Sequence, residues 1–179
     1  TLFSTLLFPI TILMGAVFPT LGRLYVDDPD ELTELVTRSF RSLLVVAVPI
    51  GLGTTVVAQQ FAPLLLGEDF RETGDVLAVL GPVIILTFSS ILFGTLAMAT
   101  ERQMFWNTVM FVGVLLTIPL DIVLVPWADR TYANGAIGGA LAYVGTEAMM
   151  VVVGLWKVAP YLVERATMWR AGRTLVAGG

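Results

Sequence analysis

Apolar residues gather into five long, almost uncharged stretches over 2–21, 43–66, 76–99, 104–126 and 135–156, with the charges confined to the connections between them. Each stretch is close to the roughly 20 residues that a helix needs to cross a bilayer core. The pattern predicts an all-α integral membrane protein. It is a polytopic bundle of five transmembrane helices over 1–157, followed by a tail over 158–179 that is too polar for a sixth span.

The first connection carries a pattern of its own. Asp28-Pro29-Asp30-Glu31 has an N-cap, a proline at the first helical position and a capping-box acid at the third. Leu32, Leu35, Val36, Phe40, Leu43 and Leu44 then recur at helical spacing, and Glu34 and Arg38 form an i,i+4 pair. Residues 28–42 therefore form an amphipathic helix. It either lies at the membrane interface or simply extends the second span. In the tail, Pro160 ends the fifth span, and Tyr161, Trp169, Arg165, Arg170 and Arg173 have the character of an interfacial segment.

Hydrophobic residues make up 56% of the chain and charged residues 13%. The charged share is about half the usual quarter, and the mean hydropathy of +0.86 agrees with a membrane protein. If the five spans cross in order, one face holds Arg23, Arg38, Arg41, Arg102, Lys157, Arg165, Arg170 and Arg173, while the other holds only Arg71 and Arg130. Eight against two is a positive-inside bias that puts residues 22–42 and the C-terminus in the cytoplasm of a cell with this multi-pass protein in its plasma membrane. Arg23, Arg38, Arg41 and Arg102 are then membrane-surface residues in contact with lipid.

Candidate chemistry is sparse. Cysteine and histidine are absent, which excludes thiol and imidazole catalysis and metal sites built on those groups. No phosphate loop, zinc-protease or nucleophile-elbow motif occurs, so the chain reads as no enzyme, with no cofactor and no metal. The cations are too few and too close to the membrane for nucleic acid.

Inside the membrane the costly groups are acids. Glu147 lies twelve residues past Gly135, about 18 Å along the helix and near the bilayer midplane. It is either a transport-path carboxyl or an acid hydrogen-bonded between helices. Asp121, five residues before Pro126, is about 8 Å from the outer end of its span and within reach of the headgroups. Gln59 and Gln60 either line a polar path or bond a neighbouring helix, and Asn107 reads as structural. Prolines 9, 19, 49, 63, 82 and 119, with Gly51 and Gly53, loosen the spans as in a transporter. The small residues Gly135, Gly138, Gly139 and Ala142 make a face for close helix packing.

Four local patterns occur in order: Phe18-Pro19-Thr20-Leu21-Gly22-Arg23-Leu24-Tyr25, Val48-Pro49-Ile50-Gly51, Leu65-Leu66-Gly67-Glu68-Asp69-Phe70, and Leu120-Asp121-Ile122-Val123-Leu124-Val125-Pro126 followed by Gly135-Ala136-Ile137-Gly138-Gly139-Ala140. Together they resemble the polysaccharide (lipid-linked oligosaccharide) flippase branch of the multidrug/oligosaccharidyl-lipid/polysaccharide exporter superfamily. The resemblance implies the C-terminal half of a 12- to 14-span transporter, roughly its eighth to twelfth helices, whose N-terminal lobe is the missing partner. It further implies translocation of a lipid-linked polysaccharide or oligosaccharide unit by rocking of two lobes. The abrupt apolar start at Thr1 and the odd number of spans carry the same expectation of a fragment. Two departures stand out: Asp121 replaces the usual Asn, and the 127–134 connection is longer than usual. A cation-coupled multidrug exporter and a non-transporting membrane scaffold are the alternatives.

Overall fold

A computed structural model describes residues 8–67 and 71–162. The described residues form five helices and no strand: α1 (Phe8–Asp27), α2 (Pro29–Leu66), α3 (Arg71–Ala99), α4 (Gln103–Tyr132) and α5 (Gly135–Val153), the last continued by a π-helical turn over Gly154–Val158. All five are long and apolar enough to cross a membrane. The fold class read from the hydrophobic pattern is thus the observed one. The tail residues Arg165, Trp169, Arg170 and Arg173 lie outside the described residues, as do Glu68, Asp69 and Phe70.

Consecutive helices run antiparallel. Helix α3 is the centre of the bundle and touches each of the other four. Half of its most apolar window is buried, against 11% for α4. The core has two parts. One, at the end of the bundle where Arg23 and Lys157 lie, joins Leu21 and Leu24 of α1, Leu32 and Val36 of α2, Phe93 and Leu96 of α3, and Trp106 of α4. The other, farther along the helices, joins Ile10 and Met14, Leu43 and Ala47, and Ile84 and Phe88.

Residues 28–42 and the second span are one 38-residue helix. The Asp28 carboxylate accepts hydrogen bonds from the Asp30 and Glu31 amides, at 3.1 and 2.9 Å, which starts the helix as the capping pattern predicts. The reciprocal half of the capping box is absent, because the Asp28 amide instead donates to Leu24 O at 3.0 Å and ties α1 to α2. The apolar stripe of 28–42 packs on the protein: Leu32 and Val36 are buried, and Phe40 stacks on Phe93 with ring centroids 6.0 Å apart. The segment is continuous with the second span, without a break between them. The exposed Arg38–Glu34 pair forms at 3.0 Å, an interaction of about 0.3 kcal/mol at such a surface.

The long 127–134 connection is corrected. Helix α4 continues through Trp127 to Tyr132, and the turn is only Ala133 and Asn134. Trp127 packs edge-on against Tyr132, and Thr131 donates to Trp127 O at 2.8 Å, so the segment completes its own last turn. Asn134 caps α5 by accepting from the Ala136 amide, and its side-chain amide donates to Glu72 O at 3.1 Å, which holds this turn against the start of α3.

Small residues set the tightest crossings. A Cβ on Gly51 would lie 2.7 Å from Gly81 O, and the hydroxyl of Thr55 bonds Ala78 O at 3.1 Å. Gly51, expected to loosen its span, instead lets α2 and α3 touch through their backbones. Gly138 likewise rests directly on the Leu124 carbonyl of α4.

Candidate functional site

The helices do not close everywhere. Between α3 and α4, with α5 as its floor, lies a groove of about 540 Å³. Its inner end is polar. Glu147, only 4% exposed, accepts a 2.7 Å hydrogen bond at Oε2 from the Ser90 hydroxyl of α3. Tyr143, one turn before Glu147 on α5, interacts with both Thr87 and Glu147. The Thr87 hydroxyl is buried at the same end. Just beyond, Thr117 of α4 and Thr146 of α5 pair through their hydroxyls at 2.7 Å, so one of them donates across the helix interface.

The depth of this cluster follows from helix geometry. Glu147 is eleven residues before Val158 and Ser90 nine before Ala99. Both are therefore about 15 Å from the same end of the bundle by the rise per residue, roughly half the hydrocarbon thickness. A carboxyl at that depth needs partners. Ser90 supplies one.

The rest of the groove is apolar. Gly94 of α3 admits the indole of Trp106, whose Nε1 would lie 2.7 Å from a Cβ at that position. Met98 and Met110 form the outer walls and Met150 the floor, and the mouth opens beside Gln103 and Asn107 at the start of α4. That end is fastened by Arg102, whose guanidinium donates to Lys157 O at 2.9 Å and sits 5.8 Å from the centre of the Phe105 ring. Phe93 lies on Gly154, where the π turn begins and no side chain would fit.

The remaining candidate residues are elsewhere. Asp121 is half-buried eleven residues before the end of α4, hence about 16 Å from that terminus. Its Oδ1 faces Gly139, 4.0 Å from where a Cβ would be, and it does not line the groove. Gln59 is exposed and donates to Asp75 Oδ1 at 2.9 Å, bridging α2 and α3; Gln60 is exposed on α2. The four candidates are therefore not one constellation, and only Glu147 belongs to the groove. Arg23, Arg38, Arg41 and Arg102 are all exposed. Arg41 stands one residue from Phe40, level with Phe93 and well up the bundle from the Ala99 terminus.

Sequence reasoning missed Thr87, Ser90, Tyr143, Trp106 and the position of Asn107 at the mouth. A signal existed: Thr87 and Ser90, and Tyr143 and Glu147, share helix faces at i,i+3 and i,i+4. No charge marked the hydroxyls as anything but ordinary membrane-helix residues.

Residues 4–75, ending just inside α3, match the family model described as Polysaccharide biosynthesis protein. The match supports the polysaccharide biosynthesis and flippase resemblance drawn from the motifs at 18–25, 48–51 and 65–70. No curated protein and no solved structure matches the chain.

Proposed function

We propose that this membrane protein of polysaccharide biosynthesis is a flippase lobe, moving a lipid-linked polysaccharide or oligosaccharide unit from the cytoplasmic to the outer leaflet. The observation that carries the reading is the union of the family match with five membrane-length helices in one bundle. A polysaccharide-synthesis protein that is nearly all membrane helix has more to offer in moving a glycan across the bilayer than in making one. The reading is of a transporter, not an enzyme, and needs no cofactor.

The five helices would form one lobe of a 12- to 14-helix transporter, its partner lobe being supplied by the same polypeptide and the two rocking about a central cavity. By the positive-inside bias, the end with Arg23, Arg102 and Lys157 would face the cytoplasm in the plasma membrane. Glu147 would serve the transport path, as a mid-depth carboxyl beside a groove that opens at that end.

The test is complementation. In a flippase-null cell the full-length protein restores export of a surface glycan, and Glu147→Ala weakens export at an equal level of folded membrane protein. Restored small-molecule resistance without any glycan would instead identify a drug exporter.

A further inference from the structure

We propose that the outward face of α2 holds an anionic phospholipid, its phosphodiester between Arg38 and Arg41 and its acyl chains along Val45, Leu52 and Val56. The site goes beyond the flippase reading and does not depend on it.

Packing on the opposite side of the helix sets this face. Leu32, Val36 and Leu43 are buried and Phe40 stacks on Phe93, so the rotation of α2 about its axis is fixed at this level. Glu34, Thr37, Arg38, Arg41 and Ser42 follow at i, i+3, i+4, i+7 and i+8, and therefore share the other side. Together they line a polar recess of about 320 Å³, within the usual range for a small-molecule site. One turn farther along the same stripe the polarity stops. Val45, Leu52 and Val56 are exposed there, and no charged residue follows Arg41 on α2. A face that changes from charged to apolar between Ser42 and Val45 marks the boundary between headgroups and acyl chains.

The charges then select the lipid. Arg38 pairs with Glu34 at 3.0 Å, while neither Arg41 nor Ser42 has a side-chain partner among the described residues. Two guanidinium groups against one carboxylate leave a single positive charge, which one phosphodiester neutralises. The guanidinium fork matches phosphate oxygens, and the Ser42 hydroxyl supplies a further donor beside Arg41. A choline headgroup would bring its own cation against Arg38 and Arg41. A free phosphate would leave the apolar continuation of the face uncovered, and a diphosphate would bring more negative charge than the face balances.

Native mass spectrometry of the purified full-length protein in detergent, titrated with phosphatidylglycerol or phosphatidylcholine, tests the site. Saturable binding of phosphatidylglycerol is expected, tighter than that of phosphatidylcholine. Arg41→Gln should weaken it about fivefold, as for one cation facing anionic lipid. Glu34→Gln, which frees Arg38 and removes a like charge, should tighten it. Lys157→Gln changes a cation at the same end of the bundle but on α5, and should leave binding unchanged. All three side chains are exposed, so the variants should keep the fold, which size exclusion checks. The proposal is overturned if the two lipids bind alike, if Lys157→Gln costs as much as Arg41→Gln, or if Glu34→Gln fails to tighten binding. It is equally overturned if inorganic phosphate displaces the lipid, the result for a free-anion site. Displacement by a polyprenyl diphosphate at a lower concentration than phosphatidylglycerol would also overturn it, and would give the face to a glycan carrier.

Discussion

Helix α3 meets α2 and α4 in opposite ways. Toward α2 it presents Gly74 and Gly81, and the partner presents Gly51 and Ala58, so the two backbones touch and Thr55 bonds across to Ala78 O. Toward α4 it presents Ser90, Gly94 and Met98, and the partner presents Trp106 and Met110. There one indole wedges against one glycine while the methionines stand apart, and a groove remains. Small residues on both sides close a membrane seam because van der Waals contact and backbone approach drive helix association in lipid. A large residue facing a small one closes only the point where they meet. The closed seam holds the bundle together, and the open one holds the buried acid.

The contrast can be broken from either side. The largest effect is expected from Gly81→Leu, since even a Cβ would collide with Thr55 and with Gly51 O. It should destabilise by about 3 kcal/mol, read as a lower thermal midpoint by circular dichroism in detergent. Glu147→Ala leaves the Ser90 hydroxyl without its acceptor and should cost about 2 kcal/mol in the same assay. Gly94→Ala pushes on the Trp106 indole, for about 1 kcal/mol and a shifted tryptophan emission. Met110→Ala should change stability by no more than about 0.5 kcal/mol, as for an exposed side chain. If Met110→Ala cost as much as Gly81→Leu, the α3–α4 seam would be a packed core, and the contrast would be void.

Much of the architecture was legible in the order of residues. Asp28 and Pro29 announced the start of α2, and Glu34 announced its pair with Arg38, because caps and i,i+4 contacts are made within one helix. The 127–134 segment misled because Pro126, Asp129 and Arg130 look like a loop. The helix runs through them nonetheless, since Pro126 forfeits one hydrogen bond while Trp127, Thr131 and Tyr132 complete the last turn. Asp121 lies about 16 Å from the end of that helix at Tyr132 and about 8 Å from Pro126.

The candidate site was only partly legible. Glu147 stood out because a charge amid apolar residues is visible in any reading. That its partner is Ser90, 57 positions away, was not. The sequence by itself determined the class of protein, the five helices and the place of Glu147 amid apolar residues, since hydrophobic period and the cost of charge in lipid act along the chain. Only the tertiary structure decided that Thr87, Ser90 and Trp106 share a groove with that acid, that Asp121 and Gln59 do not, and that the apolar stripe of 28–42 packs on protein. Those facts depend on which glycine meets which side chain on a neighbouring helix, and steric fit between helices leaves no period in the chain to read.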